Sequence, residues 1–218
     1  MSTIERGSAP ADSRTSEEPA PDGKRARTRR LLISHLLAVI AESGEFTADV
    51  VAERAGVSTA AFYAHFATKD GALAACLDAS FADYADRMAA VETIEHLLDH
   101  GLEETLRRMV ATLLAVNADH LNLLRLARSR VQSSEELRER SRQGERMAFA
   151  STARLLRLGQ AAGRVRAGDV DVMTATVRTV LQGLDSWLVR SHPAVAADEV
   201  PRLLTTYLMP GGHHDDQA

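Results

Sequence analysis

Cysteine is nearly absent from the 218-residue chain. Cys76 stands alone, so neither an internal disulfide framework nor a multi-cysteine zinc pattern can form, and a reducing cytoplasm is the compartment expected. Long apolar runs are missing as well. The longest, Leu31 to Ala41, contains Ser34 and His35 and falls far short of the roughly 20 residues that a membrane span requires. Residues 1–20 carry Glu5, Arg6, Asp12, Arg14, Glu17 and Glu18 without an apolar stretch, so no secretory leader is expected. No phosphate-cradling Gly-rich loop, nucleophile elbow or HExxH occurs. The expectation is a soluble intracellular protein that is not an enzyme and needs no cofactor.

The net charge of −4 conceals an uneven distribution. Residues 1–23 sum to −3, residues 24–69 to +3 and the remainder to −4. An acidic total argues against a phosphate-rich partner, whereas a basic segment between acidic ones argues for a localised anion-binding surface. Residues 1–23, rich in Ser, Pro, Ala and acidic groups, have too little apolar surface to offset the entropy of ordering and are expected to be a disordered tail. Residues 211–218 are expected to be a second one, His213, His214, Asp215 and Asp216 following Pro210-Gly211-Gly212.

From Lys24 the sequence reads as helix throughout. Leu32, Leu36, Val39 and Ile40 recur at helical spacing behind KRARTRR, and Gly44 stops the run. Further helices are expected over about 70–90, 102–117, 119–132, 135–162, 170–191 and 198–208, with Ser133-Ser134, Gly163 and Gly168 among the breaks. Strand-type alternation is lacking, so the fold expected is all-α.

The segment GEFTADVVAERAGVSTAAFYAHFATKDGAL, residues 44–73, holds two short helices. Thr47 can cap the first, Gly56 can end it in a left-handed turn, and Ser58 can cap the second, with Phe62 and Phe66 on one face. Each is too short to be stable alone, and together they form a helix-turn-helix.

The pattern A-x-x-A-G-V-S-x-A-x-F-Y-x-H-F-x-x-K-D from Ala52 to Asp70 resembles the DNA-binding signature of the TetR family of transcriptional regulators. Thr28 to Ile33 resembles that family's first helix. Gly163 to Asp171, and the apolar helix containing Gly183, resemble its later connection and dimerisation helix more loosely. The resemblance implies a three-helix DNA-reading head, residues 24–69, and a larger helical effector-binding and dimerisation domain, residues 70–210.

A second helix entering the major groove would bring Ser58, Thr59, Ala60 and Ala61 closest to the bases, with Thr59 as the one flexible hydrogen-bonding group. Tyr63, His65 and Lys69 match family positions that contact phosphates or bases, and Thr47 can meet a phosphate. The run containing Arg25 and Arg27 can track phosphates or reach a minor groove. Pocket candidates are Tyr84, Met88, Leu106, Met109, Leu113, Asn117, Phe149 and Arg178, on helices that line the family's cavity, with Gln182 as a further polar group. Aromatics are few, and six of the nine lie between Phe46 and Tyr84, so an aliphatic or small apolar effector is expected.

Residues 172–190 are apolar over more than one face, which calls for more than one packing partner. Val180, Gly183, Leu184, Trp187, Leu203, Leu204 and Tyr207 are the candidate homodimer contacts, a two-fold dimer also being what a palindromic operator requires. The function expected is a repressor released from double-stranded operator DNA by a small-molecule effector. The alternative is a helical DNA-binding or protein-interaction module without an effector. His96 and His100, flanked by Glu92, Asp99 and Glu103, have helical metal-site spacing but no identifiable third ligand, so no metal is assigned. Cys76 reads as a packing thiol.

Overall fold

Proline suits the first turn of a helix, where its missing N–H has no bond to lose, and the first helix begins at Pro21 rather than at Lys24. The computed structural model describes residues 21–185, 191–192 and 194–210. The rest of the expected N-terminal tail, the tail at 211–218 and Trp187 lie outside the described residues.

Helix α1 spans Pro21–Ser43 and places Leu32, Leu36, Val39 and Ile40 in the core. Gly44 ends it at φ +78°. Two seven-residue helices follow, α2 (Ala48–Arg54) and α3 (Thr59–His65). Their joint is a Schellman turn: Val57 N–H donates to Ala52 C=O at 2.9 Å and Gly56 N–H to Glu53 C=O at 3.1 Å, with Gly56 at φ +67°. Helix α4 (Lys69–Ala89) is capped by Thr68, whose hydroxyl accepts from Gly71 N–H at 2.9 Å.

Helix α5 (Ile94–Asp119) is kinked at Gly101, where φ +81° and ψ 172° break the helical path. The apolar spacing predicts a start at 102 and does not register the turn before it, because Thr93, which caps that turn through His96 N–H at 3.0 Å, lies nine residues upstream of Leu102. Helices α6 (Leu121–Arg130), α7 (Glu135–Ala161) and α8 (Val170–Gln182) follow. Helix α8 ends earlier than the expected 191, passing into a 3-10 turn over Gly183–Asp185. A π-type turn, Val195–Glu199, leads into α9 (Val200–Leu208). Among the described residues there is no strand.

The connection between α7 and α8 is fixed by its own sequence. Val165 is buried, Gln160 Nε2 donates to the carbonyls of Arg166 and Gly168 at 2.9 and 3.0 Å, and Asp169 caps α8 through Asp171 N–H at 2.8 Å. Arg166 reaches across to α9, donating to Tyr207 C=O at 2.7 Å and lying 4.6 Å above the Tyr207 ring.

Two apolar clusters form. One joins α1–α3 to Ala72–Leu77 of α4, Leu123 and Ala127 of α6 and Leu137 of α7, so packing continues past Lys69 into the following helices. The other joins Met88, the α5 residues Leu97 to Leu113, the end of α7, α8 and α9. Among the described residues no single helix is long and apolar enough to cross a membrane.

Candidate nucleic-acid interface and adjoining cavity

Helix α3 turns Phe62 and Phe66 inward and leaves Ser58, Ala60, Tyr63 and Ala64 exposed. Both short helices are capped as their sequence requires: Thr47 Oγ1 accepts from Val50 N–H at 3.3 Å, and Ser58 Oγ from Ala61 N–H at 3.1 Å. Tyr63 stays 44 % exposed, its ring edge-on to Phe62 at 5.3 Å, which aims the hydroxyl outward. Lys69 is exposed at the start of α4. Thr59, expected as the flexible hydrogen-bonding group, is half-buried, and its hydroxyl donates to Asp49 Oδ1 at 2.6 Å, tying α3 to α2.

The basic run divides into two uses. Arg29 lies 4.7 Å above the Phe66 ring and serves packing within the head. Lys24, Arg25 and Thr28 of α1 face Ala64 and His65 of α3 across an open groove of about 430 Å³. Burial first, then the charges of Arg25 and Arg29, hold the His65 imidazole below the ordinary histidine value, so at neutral pH it adds no charge of its own. Arg27 is exposed and does not line the groove. The face thus combines exposed cations with a helix N-terminus and has the chemistry of a phosphate-tracking surface.

A cavity of about 350 Å³ opens behind the head, between α4, α5, α6 and α7. Leu77, Phe81, Val116, Gly144 and Ala148 contribute apolar wall, and Tyr84, Asn117 and Arg178 contribute polar groups. Of the pocket candidates, Tyr84, Leu113, Asn117 and Arg178 line this space. Met88, Leu106 and Met109 are instead packed in the second apolar cluster, and Phe149 is half-buried on α7 away from the lining. Sequence reasoning did not name Phe81, Gly144 or Ala148. The available signal was the run of small residues Ser141, Gly144 and Ala148 on one face of α7, which leaves room for neighbours.

Phe81 takes that room: a Cβ on Gly144 would sit 2.5 Å from its ring. A second, more open depression of about 590 Å³ shares Leu113, Asn117, Leu124, Arg128, Glu145 and Arg178 with the cavity and adds Leu181 and Gln182. Arg178 donates to the Tyr84 hydroxyl at 3.2 Å, and Glu92 nearby, 2 % exposed, accepts hydrogen bonds from the hydroxyls of Ser151 and Thr152. Burial pushes its carboxyl above the usual carboxylate range, against the pull of those hydroxyls and of the Arg178 and Arg154 charges.

The candidate dimer contacts separate by exposure. Leu184 and Leu204 are buried in the protomer's own core, Val180 and Tyr207 are half-buried, and Leu203 and Gly183 face outward. Val172, 60 % exposed, joins Leu203 and Met209 as apolar surface on α8, on α9 and just beyond α9. His96 and His100 stack on each other with ring centroids 4.3 Å apart. Among the described residues no group of three or more His, Cys, Asp or Glu is placed to hold a metal ion.

Comparison with known proteins accords with this arrangement. Residues 40–76 match the family described as bacterial regulatory proteins, tetR family, and residues 99–209 match the tetracyclin repressor-like C-terminal domain. No curated protein sequence matches. A TetR transcription regulator from Haloarcula marismortui superposes with a TM-score of 0.68 at 23% identity, over 84% of this chain and 96% of that one. A transcriptional regulator from Saccharomonospora viridis, in complex with choline, gives 0.66 at 19%, over 84% and 98%. SmeT of Stenotrophomonas maltophilia, in complex with triclosan, gives 0.65 at 18%, over 85% and 93%.

Proposed function

Because the chain belongs to the tetR family of bacterial regulatory proteins, it is a DNA-binding transcription regulator and not an enzyme, and from that premise we propose a homodimeric repressor released from a palindromic operator by a small-molecule effector. One observation carries the effector half of this reading: α4 and α6 belong both to the core of the head and to the wall of the cavity. Helix α6 is moreover tied to the head at its start and to α4 at its end. Asn122 Nδ2 donates to Ala41 C=O of α1 at 2.8 Å, and Arg130 pairs with Asp70 at the start of α4 at 3.3 Å. A ligand that moves α6 relative to α4 therefore moves the head. That proteins of the same fold were crystallised with triclosan and with choline supports binding of a small molecule, without locating its site.

The mechanism is a population shift. In a dimer built on α8 and α9, two heads about one helical turn of DNA apart, roughly 34–36 Å, read the two half-sites. An effector favours a conformer in which that spacing is lost, and it acts only to the extent that it binds this conformer better.

DNA affinity against salt tests the reading, after genome-wide mapping has identified a bound site. Each phosphate contact contributes about 0.9 to the slope of log K against log salt, so Lys69→Ala, removing two contacts per dimer, lowers the slope by about 1.8. Tyr63→Ala weakens binding and leaves the slope nearly unchanged, since a phenol neutralises no phosphate. A Lys69→Ala protein with the wild-type slope would remove the phosphate role and with it this orientation of the head.

A further inference from the structure

We propose that the effector is an anionic amphiphile, its carboxylate or equivalent monoanion bound by Arg178, Tyr84 and Asn117 and its apolar body lying against Leu77, Phe81 and Ala148. This assignment rests on the cavity being the effector site of the repressor described above, and it names the chemistry that the site selects.

The donors come first. Arg178, carried by α8, donates to the Tyr84 hydroxyl of α4 at 3.2 Å, and among the described residues it forms no ion pair with a carboxylate. A half-buried guanidinium with no carboxylate in hydrogen-bond reach retains most of its capacity for a bidentate partner. Because Tyr84 Oη accepts from Arg178, its own proton is available to a ligand. Burial, ahead of the opposing Arg178 charge, holds that phenol above its ordinary value and therefore protonated. Asn117 of α5 presents an amide to the same space. Three donors thus converge from α4, α5 and α8.

The charges around them favour an anion. Glu92 is close enough to Arg178 for its carboxyl to feel that charge, and burial raises its pKa above the ordinary carboxylate value. It is engaged by Ser151 and Thr152, not by the guanidinium. Glu145 is the one carboxylate among the lining residues, exposed on α7 where water screens it, and Arg128 stands on the same rim. A cationic ligand would face Arg178 directly, with only Phe81 and Tyr84 as aromatic surface, too few for an aromatic cage.

The apolar part is set by depth. Arg178, Asn117, Leu113, Leu124, Arg128 and Glu145 belong to both the cavity and the outer depression, whereas Leu77, Phe81, Tyr84, Val116 and Ala148 belong to the inner cavity alone. Arg178 and Asn117 thus stand where the cavity meets the depression, with Tyr84 just inside them and the apolar wall of Leu77, Phe81, Val116 and Ala148 around it, a layout that orients an amphiphile with its head toward Arg178.

Calorimetry with three ten-carbon probes of matched tail, decanoate, decanol and decyltrimethylammonium, on the full-length protein tests the assignment. Decanoate is expected to bind about 10- to 100-fold more tightly than decanol, the range of a charge-assisted hydrogen-bonded contact, and the ammonium probe more weakly than either. Arg178→Gln should remove the advantage of decanoate while leaving decanol affinity in place. Tyr84→Phe should reduce the advantage in part, and covers the case in which Arg178→Gln does not fold. Equal binding of the three probes overturns the anion assignment and leaves the effector cavity standing. Failure of all three to bind overturns the cavity as an effector site, while the salt dependence of DNA binding independently reports on the head.

Discussion

Gly144 is where helix packing and cavity shape meet, so Gly144→Ala is a sharp test of both. The added Cβ would lie 2.5 Å from Cε1 and Cζ of Phe81 and 2.8 Å from Cε2. Carbon atoms rest at about 3.5 to 4.0 Å, so the ring must withdraw by about 1 Å. Its outward path leads into the cavity it lines. Overpacking of this kind costs about 1–3 kcal/mol. Against it, alanine in a helix interior is favoured over glycine by about 0.8–1.0 kcal/mol, and Gly144 lies well inside α7. The net effect in the wild-type background is a destabilisation of up to about 2 kcal/mol, or a few degrees in melting temperature for a chain of this size.

That sum is small, and the informative quantity is its change of sign. In a Phe81→Leu background the ring is gone and the helix preference acts unopposed, so the same glycine replacement becomes stabilising by about 1 kcal/mol. Thermal unfolding followed by circular dichroism on the four proteins of the cycle, at one fixed protomer concentration, measures both effects. Equal stabilisation by Gly144→Ala in the two backgrounds would show that the ring does not press on Gly144, and the account of the cavity wall would fail with it.

Two further outcomes follow from buried titratable groups. Burial pushes the Cys76 thiol up to about 12, so in the folded protein it should react with iodoacetamide only through opening of α4, and labelling should accelerate sharply with urea; rapid labelling of the native protein would contradict the packing around α4. Glu92 has a raised folded value, so its contribution to stability is complete below the ordinary carboxylate pKa and is lost as pH rises through the raised one; Glu92→Gln should therefore gain in melting temperature relative to wild type as pH rises above the ordinary carboxylate value, and a constant gap would refute the shift.

The head was legible because its boundaries are written in local chemistry. Thr47, Gly56 and Ser58 each have one conformation that satisfies their backbone neighbours, and the structure uses all three in that way. The connection from Gly163 to Asp169 was readable as a break for the same reason, though not the reach of Arg166 to α9, which is a contact across 41 residues. What period-based reading could not supply was which apolar residues face a space and which fill one. Met88, Leu106 and Met109 share a helical face with cavity-lining neighbours and are nonetheless packed solid against the end of α7 and α9. Leu184 and Leu204 carry the same spacing as an outward apolar face, and their own protomer buries them. Thr59 stands at the start of α3, the helix expected to enter the groove, but its hydroxyl is held by Asp49, ten residues earlier, a pairing that only the angle between α2 and α3 brings about.

The cavity lies on the seam between the two apolar clusters, with Leu77 from the first and Leu113 from the second both in its wall. A ligand there acts on the relative placement of two separately packed bodies, which is how an interior site can tilt a head without unfolding it. Magnitudes limit what one ligand achieves. Drug-sized ligands gain about 0.3 kcal/mol per non-hydrogen atom, so a molecule of about a dozen such atoms supplies about 4 kcal/mol even if all of it discriminates between conformers. Moving a two-state equilibrium from 1:99 to 99:1 takes about 5.5 kcal/mol. One occupied cavity therefore falls short, whereas two in a symmetric dimer, acting on the same conformational equilibrium, exceed the requirement. DNA release should accordingly rise more steeply than a single-site curve with effector concentration, and a strictly hyperbolic release curve would mean that the two cavities of the dimer do not share one transition.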